Sequence, residues 1–234
     1  MKRKVIQLAG RTLVISLPAS WVRKYDVKKA DELDVVEHYD SLTVQRQGGI
    51  YIPREILIDA KGFSEDILKS SLSVAHKSGY DIVELLVENR NQVRAIRRRT
   101  SELVGFEVVE QSDSRVLVKS IAGDNKEELG PLVRRSFLVT IALADETLAA
   151  LRVGDAAALE DALVHEVVNN RLTNYCHRLL NRHSHGPHST YTYIVLWLLE
   201  SLADDYKSLI NYVVGAGITL PADVLDLFEL INAH

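Results

Sequence analysis

The chain is short of cysteine, of acid at its start and of long apolar runs. A single cysteine, Cys176, in 234 residues excludes an internal disulfide, a cysteine-rich zinc fold and a stapled secreted scaffold, so a reducing compartment is expected. The longest apolar stretches, such as Ile194 to Leu199, are far too short to cross a hydrocarbon core. Residues 1–4 lead into an alternating strand, without the apolar segment of a secretion signal. A cytoplasmic protein with no membrane insertion is the expectation. Also missing are a phosphate-cradling Gly-rich loop ending in Lys-Ser/Thr, a His-Glu-x-x-His pair and a Gly-x-Ser-x-Gly elbow. No catalytic residue is therefore named, and the chain is not expected to be an enzyme.

What is present is an ordinary globular composition, 47% hydrophobic and 26% charged, with 28 Lys and Arg against 32 Asp and Glu and a net charge of -4. The charge is unevenly spread. Residues 1–24 hold Lys2, Arg3, Lys4, Arg11, Arg23 and Lys24 and no acid, whereas residues 123–234 hold eight bases and fifteen acids. A basic beginning and an acidic end suggest a modular chain whose first part meets a polyanion. The plainer alternative is a solubilised, exposed strand.

Residues 4–8 and 12–16 are β-rich runs separated by a short Gly10-containing connection, a hairpin signature. Leu17 to Tyr25 then reads as a short helix with Pro18 in its first turn. Leu33 to Glu37 and Ser41 to Gln45 form a second hairpin around residues 38–40. Such a unit is too small to bury much apolar surface alone and is expected to be completed by a second copy. Residues 4–21, with Gly10, Pro18 and Trp21 in their places, followed by residues 27–36, resemble the AbrB/MazE/SpoVT family of DNA-binding domains. The resemblance covers residues 1–47. It implies a swapped-hairpin β-barrel made by two chains, gripping double-stranded DNA through Lys2, Arg3, Lys4, Arg11, Arg23 and Lys24. Ala30 stands where that family usually has Gly before Asp31, so a left-handed turn is not assumed there.

Residues 48–53 read as a linker. From 51 to 122, strands alternate with helices: Ile56 to Ile58, the helix Ser64 to Ser78, Ile82 to Val87, the helix Asn91 to Val104, then Glu107 to Glu110 and Val116 to Ser120. This predicts a small α/β domain, roughly ferredoxin-like, with helices on one face of a sheet. Arg94, Arg97, Arg98 and Arg99 form a basic run on the second helix, read either as a phosphate-facing patch or as a solvated face salted by Glu102.

Beyond residue 123 the helical period predicts four helices, Lys126 to Ala150, Asp155 to Arg182, Ser189 to Val214 and Pro221 to Asn232, the last capped by Thr219. Their short connections favour an antiparallel helical bundle. The phrases at residues 104–110, 132–137, 165–172 and 199–205 resemble archaeal PhoU-type regulators that follow an AbrB-like head. That resemblance implies a PhoU-like bundle over 123–234, a link to phosphate uptake or homeostasis, a transporter or signalling protein as partner, and Glu-x-x-x-Asp metal motifs. Glu200 and Asp204 keep the motif; Glu166 has Asn170 where a second acid is expected. Oxygen ligands four apart on a helix suit a divalent or trivalent metal ion. The competing reading is a pair of exposed acids matched to Arg171 or Arg178. His177, His183, His185 and His188 surround Cys176 in zinc-like chemistry, but their spacing matches no compact zinc motif, and they are read as residues of a polar interhelical loop. Cys176 is read as a small buried residue.

The chain is thus expected to be multidomain α+β, a DNA-binding transcriptional regulator acting as a homodimer. A PhoU-like adaptor whose head only dimerises is the rival, and a MazE-like antitoxin is set aside because the chain continues into ordered domains.

Overall fold

In the computed structural model, residues 2–8, 10–37, 42–46, 53–183 and 187–232 are described. They form a mixed α+β structure in two compact units, 1–52 and 53–234.

In the first unit β1 (Ile6–Leu8) pairs antiparallel with β2 (Thr12–Val14), Ile6 opposite Val14. Gly10 between them has φ +81°, the left-handed backbone that tight hairpins require. The Gln7 side-chain amide donates to its carbonyl at 2.8 Å. Pro18 precedes α1 (Ala19–Lys24) as its N-cap, its carbonyl accepting the Val22 N–H at 2.9 Å. β3 (Leu33–Glu37) and β4 (Leu42–Arg46) form the second antiparallel hairpin. Its expected turn at 38–40 and linker residues 48–52 lie outside the described residues. The two hairpins are separate two-stranded sheets, and among the described residues no sheet closes into a barrel within the chain.

The turn at Ala30, which the sequence left open, is left-handed. The Asp31 N–H donates to the Lys28 carbonyl at 3.2 Å and the Asp31 carboxylate accepts the Lys28 N–H at 2.9 Å. Between these bonds Ala30 sits at φ +75°. The left-handed turn forms without glycine because Asp31 ties it from both sides, and the Cβ carries the cost. Ala30→Gly should therefore raise stability by about 1 kcal/mol in denaturant melts; an unchanged or lower midpoint would show that the turn is unstrained.

The second unit opens with β5 (Glu55–Asp59), α2 (Glu65–Lys77), β6 (Ile82–Leu86), α3 (Arg90–Glu102), β7 (Phe106–Gln111) and β8 (Arg115–Ser120). Ser64 and Asn89 cap the two helices, accepting the N–H groups of Ile67 and Gln92. The sheet order is β5-β6-β8-β7, with β5 parallel to β6 and the other pairs antiparallel. This is not ferredoxin-like. In that fold the two halves of a βαβ unit are split by an intervening strand, whereas here β5 and β6 are direct neighbours and β7–β8 is a terminal hairpin. One sheet face, with Val83, Leu85, Val116 and Val118, buries against Leu68 and Leu72 of α2 and Ile96 of α3.

After a short 3₁₀ turn at Lys126–Glu128 come α4 (Leu129–Val153), α5 (Ala156–His183), α6 (Pro187–Ala216) and α7 (Ala222–Asn232). Gly154, at φ +69°, ends α4, and the Asp155 carboxylate accepts the Ala157 and Ala158 N–H groups at 3.0 Å to start α5. α7 is capped by Pro221, whose carbonyl accepts the Val224 and Leu225 N–H groups, and not by Thr219. Leu143, Leu151, Leu159 and Ile210 lie in the bundle core. Among the described residues no helix is long and apolar enough to cross a membrane.

The sheet and the bundle are joined by a buried charge cluster. Arg178 of α5 is fully buried. Its Nη2 donates to Asp81 at 2.9 Å, its Nε to Asp124 at 3.0 Å and its Nη1 to the Tyr80 carbonyl at 2.6 Å. Arg182, one turn on, reaches the same two carboxylates at 2.6 and 2.8 Å. Two guanidiniums thus neutralise two carboxylates, one just before β6 and one after β8, fixing α5 against the sheet. This removes Arg178 as a partner for Glu200 or Asp204.

Candidate nucleic-acid interface

Lys2, Arg3, Lys4, Arg11, Arg23 and Lys24 are all exposed, and none is in an ion pair with a described residue. Lys2 to Lys4 run into β1, Arg11 lies in the β1–β2 connection, and Arg23 and Lys24 occupy the last turn of α1, where the helix carbonyls favour positive charge. The sites are therefore available to an external anion. Among the first-unit residues whose exposure is described, none is buried. Ile6, Leu8, Leu13, Ile15, Val35 and Leu42 are each more than half exposed, Leu13 reaching 68%. A two-stranded hairpin with its apolar residues in water is at best marginally stable. The same stretch thus combines unpaired cations with apolar side chains that lack a core.

The four residues weighed as metal ligands are arranged otherwise. Glu166 is buried, and its Oε1 accepts from the Lys207 ammonium at 2.7 Å and from the Asn170 amide at 2.6 Å. Lys207 also lies 3.6 Å from Asp204. The ammonium therefore already supplies positive charge to these acids. Glu200 instead meets Lys77 of α2 at 3.7 Å, and burial pushes its carboxyl pKa up, with Lys77 opposing and Asp204 adding to the rise. Among the described residues no group of three His, Cys, Asp or Glu side chains could hold a metal ion. Sequence inspection missed Lys207, whose position seven after Glu200 and three after Asp204 on α6 was the available signal.

Among the histidines expected in an interhelical loop, His177 lies within α5 and His183 is its last residue, because the helix runs on to His183. His177 is buried, its Nε2 3.2 Å from the Tyr193 carbonyl. His185 lies outside the described residues, and nothing is described of the His188 side chain. Cys176 is fully buried, and burial raises its thiol pKa to about 12, so it is an inert core residue. On α3, Arg94, Arg97 and Arg98 are exposed, while Arg99 bridges Glu102 at 2.6 Å and donates to the Ser73 hydroxyl. The basic run on this helix is therefore divided: Arg99 is tied into the fold, whereas Arg94, Arg97 and Arg98 are in no ion pair with a described residue. Compared with models of protein families, with curated proteins and with solved structures, the chain matches none.

Proposed function

We propose that the chain is a DNA-binding transcriptional regulator with an AbrB-like head and a PhoU-like body, linked to phosphate uptake or homeostasis. The observation that carries the reading is a first unit with no buried residue among those whose exposure is described, and six exposed cations outside any described ion pair. Pairing two copies by exchange of hairpins would bury Leu8, Leu13, Ile15 and Val35 in one barrel and double the number of cations on one particle. Phosphate contacts by those cations give affinity for duplex DNA that falls steeply with salt. The body would hold the dimer and respond to a signal.

In gel-shift titrations with duplex DNA at low salt, the double variant Lys4→Glu, Arg11→Glu should lose at least a hundredfold in affinity, a change of four charges per head. Unchanged retention would overturn the regulator and favour the adaptor reading. That second reading draws on the exposed apolar side chains Tyr191, Ile194, Trp197, Leu198 and Leu202 of α6, a surface fit for a protein partner.

A further inference from the structure

The arginine run of α3 does not stand alone. Arg98 and Arg99 face a cleft of about 420 Å³ whose other walls are α5, with Asn170, Arg171 and Asn174, and α6, with Lys207. That volume falls in the range of small-molecule sites, about 300–1,000 Å³. The cleft holds four cations and two carboxylates, and the carboxylates are already matched: Glu102 to Arg99 at 2.6 Å and Glu166 to Lys207 at 2.7 Å. Arg98 and Arg171 are left over, from different helices, in no ion pair with a described residue. Two guanidiniums offer fork-shaped donor sets suited to a dianionic group. Leu163 and Val167 add an apolar strip on the α5 side.

A second observation concerns the α5 wall. Asn174 is 2% exposed and lines the cleft, and its Oδ1 has no hydrogen-bond partner, nor has the Oδ1 of Asn170. A buried acceptor left unsatisfied is costly, so the wall favours a ligand that donates to it. Their Nδ2 atoms are used, toward the Asn170 carbonyl and Glu166 respectively. The wall is thus short of donors while the mouth is rich in cations.

We infer that this cleft binds a small phosphomonoester of mononucleotide size, its phosphate held by Arg98 and Arg171, its body on Leu163 and Val167, and its hydroxyl or amino groups donating to the asparagine carbonyls. The site spans α3 of the sheet layer and α5 and α6 of the bundle, so occupancy ties the two layers together. The inference does not depend on DNA binding by the head.

The test is calorimetric titration of the intact chain, without DNA, using AMP, inorganic phosphate and succinate as separate probes. AMP should bind saturably and at least tenfold more tightly than phosphate or succinate. Arg171→Glu and Arg98→Glu should each weaken AMP at least tenfold, while Arg94→Glu, on α3 but outside the cleft, should leave it unchanged. Should a charge reversal lower the melting temperature, Arg171→Gln replaces it, with the same loss expected. No saturable AMP binding at millimolar concentration overturns the site, as does equal loss in Arg94→Glu, which would indicate attraction to charge alone. AMP no tighter than phosphate, or weaker than succinate, overturns the assignment of the ligand class. Gel shifts on the same variants keep this result separate from the DNA-binding reading.

Discussion

Arg178→Met should destabilise the chain by about 3–5 kcal/mol, the cost of leaving buried charge without its partner. Asp81 and Asp124 have side chains 3% and 5% exposed, and Arg178 is fully buried between them. Methionine restores much of the volume but none of the donors, so Asp81, Asp124 and the Tyr80 carbonyl would each lose a bond. Arg182 remains within reach of both carboxylates, which holds the loss toward the lower end. Chemical denaturation reads the change directly. The double variant Asp81→Asn, Arg178→Met should cost less than the sum of its singles, because each removes the other's unpaired charge. Additive losses would mean that the cluster is not a coupled network.

Acid should destabilise the same unit by a comparable amount. His76 is fully buried, its Nε2 2.9 Å from the Val104 carbonyl, and His177 of α5 is buried as well, its Nε2 3.2 Å from the Tyr193 carbonyl. Burial lowers both pKa values from 6.5 to about 4, against the opposing pull of their carbonyl partners, with Arg178 and Lys77 respectively lowering them further. Between those values the unfolded chain binds protons that the folded chain refuses. Stability is therefore intact above pH 6.5 and falls as pH drops toward 4, by roughly 3 kcal/mol per histidine if the whole window is crossed. The raised Glu200 carboxyl works in the opposite sense, favouring the folded state in acid. Denaturant midpoints at pH 7 and pH 4.5 should show the fall, with uptake of about two protons on unfolding. A flat profile would mean that the histidines charge within the fold.

The local parts of this structure were legible in the chain, and the long-range ones were not. Gly154, Asp155 and Pro221 mark their helix ends through backbone chemistry confined to a few residues, and four helices stand where the period predicts them. α6 starts two residues earlier than expected, because Pro187 is tolerated inside a first turn, and α4 lies three residues later at both ends, because Lys126–Glu128 forms a 3₁₀ turn and Gly154 ends the helix. Sheet order has no such local sign. Whether β6 or β8 lies beside β5 depends on partners far along the chain, and the ferredoxin-like reading failed there. Arg178 is the clearest case at the level of side chains. Its partners Asp81 and Asp124 are 97 and 54 residues away, and no spacing rule could select them over the nearer acids. Lys207 hid for the opposite reason: it lies beside Asp204 on α6, but the charge it neutralises on Glu166 belongs to another helix. At Ala30 the residue type argued against a left-handed turn, and the hydrogen bonds of Asp31 prevailed.

The central claim is that the first unit gains its core by pairing with a second copy. Hydrogen exchange of the β1 and β2 amides, followed across protein concentration, tests it most directly. An intertwined barrel should protect residues 6–8 and 12–14 strongly at micromolar concentration, with protection falling on dilution as the pair dissociates. Exchange within seconds at every concentration, as a solvated hairpin would show, contradicts the account.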